Sequence, residues 1–327
     1  MENKNVCIVG RGSIGTRHGK ILENLGYKVY FLRRKKNKNC NNEISKYRDL
    51  NSYNFKFYFI CNPSSLHISV VKKIYKFDKK KNLKFFIEKP IVTNLNDFSY
   101  LKNLIKKNKK KVFIYSGYML RHDPGVINIR RIIKNNRFKI RYAKFNWQTY
   151  MPSWHPWENY TKSYASQKKY GGGVLFTCSH EIDISILLFG KVKKVFCTIT
   201  KSKLKSDVEN SVFLIIKHAN NIASYINLDF ACKAESKRDF EIIFDKYSIK
   251  RSFNMNNYSK HSVNFKKVYK IKKKIIDYIY KTQIKSFLSL CNERKIPTKN
   301  YYKNFLETER VIFAAKKSIL NKKFIKI

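Results

Sequence analysis

The chain has 327 residues, with 70 Lys and Arg against 22 Asp and Glu, a formal charge of +48. That length suits two domains with substantial cores, and no apolar run approaches the ~20 residues of a membrane-spanning helix. The seven cysteines are odd in number and include no CxxC pair, which argues against a disulfide framework or a zinc site and for a reducing cytoplasm. Of the basic residues 56 are Lys, strewn along the whole chain beside abundant Asn, Ile, Phe and Tyr. Those residues have AT-rich codons, so base composition explains the charge as well as a polyanionic ligand would. No RNA-recognition, helix-turn-helix or zinc-finger pattern accompanies it. A specific nucleic-acid partner, a membrane partner and a resident metal are therefore not expected.

In chain order, "MENKNVCIVGRG" leads directly into a buried-strand pattern and lacks a signal peptide's apolar segment. "NVCIV" (5–9) reads as a strand, "GRGSIG" (10–15) as a turn, and "TRHGKILENLG" (16–26) as a helix stopped by glycine. "KVYFL" (28–32), "FYFIC" (57–61), "KFFIEKP" (84–90) and "VFIYSGY" (112–118) are further apolar strands separated by helical patterns. Strands alternating with helices predict a doubly wound parallel sheet, a Rossmann-type α/β domain over residues 1–121. From 138 to 260 the rhythm changes to longer alternating strands, interrupted by a helix after "GGG". This predicts an α+β domain over 122–327 with an open, predominantly antiparallel sheet. Two late helices, near 274–292 and 302–319, precede the apolar tail "KFIKI".

"GRGSIG" has the GxGxxG spacing between a strand and a helix. Gly10 permits a tight turn, Gly12 lets backbone approach a pyrophosphate, and Gly15 lets helix and strand pack closely. With Arg11, Ser13 and Ile14 it forms a candidate dinucleotide-binding loop, the helix amides facing the phosphates. The second strand runs out into "FLRRKK", with Arg33 and Arg34 where an NAD site usually has an acid. A guanidinium can grip a 2′-phosphate, so NADP(H) is favoured, with NAD(H) possible. "IEKP" puts Glu88 and Lys89 at a strand's carboxyl end, where ligands of such sheets bind, before a proline that suits a cis peptide. Lys89 could donate to a substrate oxygen or act as an acid.

"GRGSIGTRH", "CNPSSLH", "IEKP", "GYMLRHDP" and "GGGVLFTCSHEID" stand in the order and spacing of the Gfo/Idh/MocA family, which the chain resembles over residues 5–245 and a helix near the end. The resemblance implies a Rossmann domain followed by a substrate and oligomerisation domain. It also implies hydride transfer at a sugar or cyclitol carbon, and a homo-oligomer, dimer or tetramer, built through the second sheet. It places Lys89 and His180 at the nicotinamide, with Asn62, Pro63 and His67 nearby. "WHPWENYTKSYASQKKYGGG" is similar to a subgroup associated with bacterial surface-sugar biosynthesis. That suggests a sugar phosphate or nucleotide sugar, with nonulosonate-type pathways included.

On this reading Thr177, His180 and Asp183 stand at i, i+3 and i+6 of one helix face. His180 takes the hydroxyl proton while Lys89 polarises the oxygen. The family commonly has an aspartate where Thr177 stands, so Glu181 or Asp183 substitutes, Lys89 carries more of the work, or the chemistry is impaired. The alternative function is a cofactor- or sugar-sensing protein without turnover. Trp154, His155, Trp157 and Tyr164 have the composition of a sugar-binding wall or of an anchored surface loop. Arg121 and His122 could hold an anionic substrate, and Arg121 could equally be a structural ion-pair residue.

Overall fold

The computed structural model describes residues 4–34, 40–78, 82–107, 111–135, 137–154, 156–271, 275–292 and 299–327. They fall into two compact units, one of Met1–Gly117 with Tyr280–Lys299 and one of Tyr118–Ile279 with Asn300–Ile327.

In the first unit β1 (Asn5–Val9) leads through α1 (Ser13–Glu23) to β2 (Lys28–Leu32) and the two-residue β3 (Glu43–Ile44). After α2 (Leu50–Tyr53) come β4 (Phe57–Ile60), α3 (His67–Phe77), β5 (Leu83–Ile87), α4 (Leu95–Lys107) and β6 (Val112–Ser116). The six strands form one sheet in the order β3-β2-β1-β4-β5-β6, every pair parallel. Helices cover parallel sheets on both faces, which is why these strands are continuous apolar runs and why β4 and β6 are buried throughout. The strand order reverses at β1, and the crevice at the carboxyl ends of β1 and β4 is the ligand position of such sheets. The glycine turn is shorter than the sequence suggests: α1 starts at Ser13, directly after Gly12.

The second unit begins with α5 (Pro124–Asn135), β7 (Ile140–Gln148), α6 (Met151–Trp154), α7 (Val174–Thr177) and α8 (Ser179–Phe189). There follow β8 (Val192–Ile199), β9 (Ser211–His218), β10 (Ala223–Asp229), β11 (Lys237–Phe244), β12 (Ser248–Ser252), β13 (Asn257–His261) and β14 (Lys266–Lys270). The helices α9 (Ile275–Asn292) and α10 (Lys299–Asn321) precede β15 (Ile325–Lys326). The nine strands run in the order β14-β13-β12-β11-β7-β10-β9-β8-β15, and only β7 with β10 is parallel. Strand residues alternate: Val212, Leu214, Ile216, Ile226 and Leu228 are buried, while Phe213 and Tyr225 remain 49% and 44% exposed on the other face. α8 is buried on nearly all sides, the condition of a helix inside a core rather than on its surface. Arg251 of β12, wholly buried, pairs through Nη2 with Asp123 at 2.7 Å, and Asp123 Oδ1 also accepts from Val126 N at the start of α5.

The sequence puts the division after residue 121; the first compact unit runs to Gly117 and also takes in Tyr280–Lys299. Phe287 is the reason. It is fully buried and its ring lies 5.4, 5.3, 5.6, 6.0 and 5.6 Å from those of Phe57, Phe59, Phe86, Phe113 and Tyr115. Lys84 Nζ also donates to the Cys291 carbonyl at 2.7 Å. Among the described residues no single helix is long and apolar enough to cross a membrane.

Candidate active site

The glycine loop has the features a dinucleotide needs. Gly10 has φ +96°, and a Cβ there would lie 2.9 Å from Asn62 N; a Cβ on Gly15 would lie 2.2 Å from the Gly10 carbonyl oxygen. A Cβ on Gly12 would meet nothing within 4 Å, so that glycine is not required by the protein's own packing. Gly12 caps α1 without a side-chain hydrogen bond, and no acid lies in the first turn. The amides of Ser13, Ile14 and Gly15 therefore face the crevice uncompensated, as a pyrophosphate requires. Asn62 Oδ1 is shielded from solvent and accepts no hydrogen bond among the described residues. The residues fit an NAD-type cofactor.

The end of β2 is not without an acid. The short strand β3 pairs beside it and brings up Glu43, which is buried and accepts from Arg11 Nη1 at 2.6 Å and from Arg33 Nη1 at 2.9 Å. Local sequence could not show this, because Glu43 arrives by strand pairing. Two guanidiniums share one carboxylate, and Arg34 adds a further positive charge.

At the end of β5, the Lys89–Pro90 peptide is cis. Glu88 accepts from His18 Nε2 at 2.7 Å and, through its other oxygen, from the Lys89 amide at 3.2 Å. His18 is wholly buried among the rings of Phe59, Phe86 and Tyr280. His67, which follows Pro63 in the next turn, lies 2.9 Å from the Pro90 carbonyl through Nδ1 and 2.8 Å from the Asn62 carbonyl through Nε2. Burial pushes the His67 imidazole pKa down, against the carbonyls and the Glu88 charge. His18 and His67 thus brace the strand end that carries Lys89.

In the second unit Thr177 and His180 are not on one continuous helix. Cys178 (φ −96°, ψ 24°) breaks it, and the segment Lys168–Thr177 meets α8 at a 46° bend. His180 is 5% exposed, and its ring meets the wholly buried Tyr118 edge-on at 5.8 Å. Tyr118 donates to Glu309 Oε1 at 3.1 Å; burial first, then Glu309 and Asp183, push its pKa well up. Asp183 accepts from Arg121 Nε at 2.8 Å and Nη2 at 2.5 Å, and from Thr308 Oγ1 at 2.9 Å. Arg121 is thus an ion-pair residue. Burial, then the Arg121 charge, push His122 down to about 4, so it presents a neutral ring rather than a cation at neutral pH. Glu181 is buried and accepts from Arg238 Nε at 2.7 Å. Both acids beside His180 are therefore held by arginines.

Of the aromatic stretch, Trp154 is half-buried, 6.1 Å and nearly perpendicular to Trp147 and 5.6 Å from Phe230. Trp157 is 78% and Tyr164 40% exposed, and His155 lies outside the described residues. Two of the three glycines are set by packing within this unit: a Cβ on Gly172 would lie 2.5 Å from the Tyr164 carbonyl oxygen, and Gly173 has φ +100° against the Glu209 carboxylate; Gly171 makes the turn at φ +81°. Sequence reasoning missed Tyr118, Glu43, His18, Trp147 and Arg238. Among the described residues no cluster of three or more His, Cys, Asp or Glu could hold a metal.

A parallel sheet with a glycine cradle at its switch point defines a dinucleotide-binding protein. A family model described as "Oxidoreductase family, NAD-binding Rossmann fold" matches residues 4–116, and one for the "GFO/IDH/MocA C-terminal domain" matches 126–250. The chain belongs to the Gfo/Idh/MocA family. Among solved structures it is similar in fold to levoglucosan dehydrogenase in complex with NADH and L-sorbose, at 16% identity and TM-score 0.82, covering 100% of this chain and 99% of that one. It is similar to myo-inositol 2-dehydrogenase from Lactobacillus plantarum, at 16% identity and TM-score 0.79 with both chains covered fully. It is likewise similar to GenD2 from gentamicin A biosynthesis in complex with NAD, at 13% identity and TM-score 0.81, covering 100% of this chain and 97% of that one. No curated protein matches the sequence.

Proposed function

We propose that the protein oxidises a CH–OH group, or reduces the matching ketone, on a sugar, sugar phosphate or nucleotide sugar. We place the reaction in the cytoplasm, in surface-polysaccharide or nonulosonate-type sugar biosynthesis. The observation that carries the reading is His180, a histidine buried in the core helix α8 with Tyr118 edge-on to its ring and Asp183, fixed by Arg121, one turn further on. Gly10, Arg11, Gly12, Ser13, Ile14, Gly15, Asn62, Pro63, His67, Glu88 and Lys89 would hold the dinucleotide, whose nicotinamide supplies the hydride acceptor or donor. Lys89 polarises the reacting oxygen, and a His180 nitrogen takes the hydroxyl proton. Asp183, fixed by Arg121 and Thr308, and the Thr177 hydroxyl complete the polar surroundings of that histidine. NADP(H) is favoured over NAD(H), because Glu43 is already shared by Arg11 and Arg33 and so is compensated where a 2′-phosphate would come.

Reduced-nicotinamide absorbance tests this with a panel of sugars, sugar phosphates and nucleotide sugars. Turnover should appear with at least one class, and His180→Ala should abolish it with cofactor affinity nearly intact. Cofactor binding without hydride transfer to any of the panel would favour a non-catalytic sensor instead. The apolar outward face around Phe213 and Tyr225 supports a homo-oligomer through the second sheet. Light scattering should report a dimer or tetramer that Phe213→Lys disrupts; a monomeric unmodified protein would refute it.

A further inference from the structure

Arg238 and Trp147 face each other across the β11–β7 pairing, with the guanidinium carbon 3.7 Å from the indole centroid. Phe253 lies on the same guanidinium at 5.3 Å, and Nε donates to Glu181 at 2.7 Å. Three neighbours thus fix the plane of a cation whose side chain is still 17% exposed. Yet Nη2 meets no acceptor among the described residues and touches no solvent. A shielded guanidinium donor without an acceptor is costly, and a fork held flat and in register is the geometry that binds carboxylate or phosphate. Beside it stands an aromatic wall: Trp147 meets Trp154 edge to face, and Trp154 leans on Phe230. Trp147 and Trp154 are both only half-buried, and indole faces suit the C–H faces of a sugar ring.

We propose that Arg238, with Trp147 and Trp154, forms a subsite for an anionic substituent, a carboxylate or a phosphate, carried by a sugar substrate. This rests on the proposed sugar-oxidoreductase reading and narrows its substrate class. Glu181 engages Nε of the guanidinium, and a ligand would meet the 17% of the side chain that stays exposed. Glu181 adjoins His180, so the subsite is tied through one carboxylate to the residue proposed to take the proton. Arg121 is engaged by both oxygens of Asp183 and Arg251 by both oxygens of Asp123, whereas Arg238 meets one oxygen of Glu181.

The test measures binding, not turnover. Calorimetry and tryptophan fluorescence on the full-length protein, with and without NADP+, would compare glucose with glucuronate and glucose 6-phosphate, and galactose with galacturonate and galactose 6-phosphate. A charged member should bind at least tenfold more tightly than its neutral partner. Arg238→Gln, which keeps a donor for Glu181, should reduce that preference below threefold with cofactor affinity unchanged. Arg238→Lys keeps the charge opposite Glu181 without the planar fork; it should bind the charged sugars with intermediate affinity, which supplies the comparison if the glutamine variant fails to fold. Neutral sugars bound as tightly as charged ones by the unmodified protein would overturn the subsite while leaving the oxidoreductase reading standing. A preference that survives in both variants would overturn it too. Binding of none of these sugars would overturn the subsite, while the oxidoreductase reading would still be decided by the turnover panel, which includes nucleotide sugars.

Discussion

Substituting Gly12 by alanine adds a methyl group where nothing of the protein lies within 4 Å. The backbone there (φ −76°, ψ −172°) is extended and open to any residue. Alanine should therefore be neutral or stabilise the fold by about 0.4–1 kcal/mol through a less flexible unfolded chain. Gly15→Ala is the contrast, since its Cβ would come 2.2 Å from the Gly10 carbonyl oxygen, a backbone atom that must move. Overpacking of that kind costs about 1–3 kcal/mol. The Gly12 methyl instead stands off the open amide end of α1, where a pyrophosphate has to approach. Even a modest loss of those amide contacts weakens the dinucleotide tenfold, or about 1.4 kcal/mol. Thermal melting and titration with NADPH and NADH separate the two effects. Gly12→Ala should melt at or slightly above the unmodified temperature and lose at least tenfold in affinity; Gly15→Ala should melt lower. Full cofactor affinity in Gly12→Ala, or a melting point as low as that of Gly15→Ala, would refute the assignment of Gly12 to the ligand.

Lys89→Ala should lower turnover about 100-fold with much less change in cofactor affinity; near-normal turnover would remove Lys89 from the chemistry. Arg33→Ala should weaken NADPH more than NADH, and equal affinities for the two in the unmodified protein would end the NADP(H) preference. His18→Ala should lower kcat with little effect on KM, since it releases the Glu88 carboxylate that holds the Lys89 amide, and His18→Gln should restore part of it; an unchanged kcat would deny His18 a positioning role. His218 is wholly buried, and burial pushes its pKa down to about 4 although the hydrogen bond to the Gly190 carbonyl opposes the shift. Its folded pKa lies below the unfolded 6.5, so the stability it contributes, about 3 kcal/mol in order of magnitude, is present above pH 6.5 and lost as pH falls towards 4. His218→Gln should flatten the fall of the urea midpoint over that window, and an unchanged slope would refute it.

The parallel strands were legible because strands buried on both faces must be continuous apolar runs, and glycine or charge ends them. The glycine loop and the histidine helix were legible because their chemistry is local. Glu43 was not: a two-residue edge strand has no periodicity, and its meeting with Arg33 depends on pairing alone. The break at Cys178 was hidden because "VLFTCSHEI" contains nothing that forbids a continuous helix. Arg238 did leave a signal. It shares the two-residue period of Phe240, Ile242 and Phe244, all buried, so the pattern points it inward although its charge suggests solvent.

The place of Phe287 sets a timetable for the newborn chain. When residue 117 has left the ribosome, the sheet that will hold the dinucleotide can pair its strands, yet the side that includes Phe57, Phe59, Phe86 and Phe113 is covered only in part, by His18 of α1. The ring that closes it lies in a segment ending at Lys299, and at about 5–20 residues per second that segment follows roughly 10–40 s later. During that interval a half-made nucleotide-binding sheet presents aromatic surface to the cell and invites chaperones or aggregation. A fragment cut at residue 117 would be frozen in that exposed condition, so this dinucleotide-binding half cannot be lent to another protein as a simple N-terminal cassette.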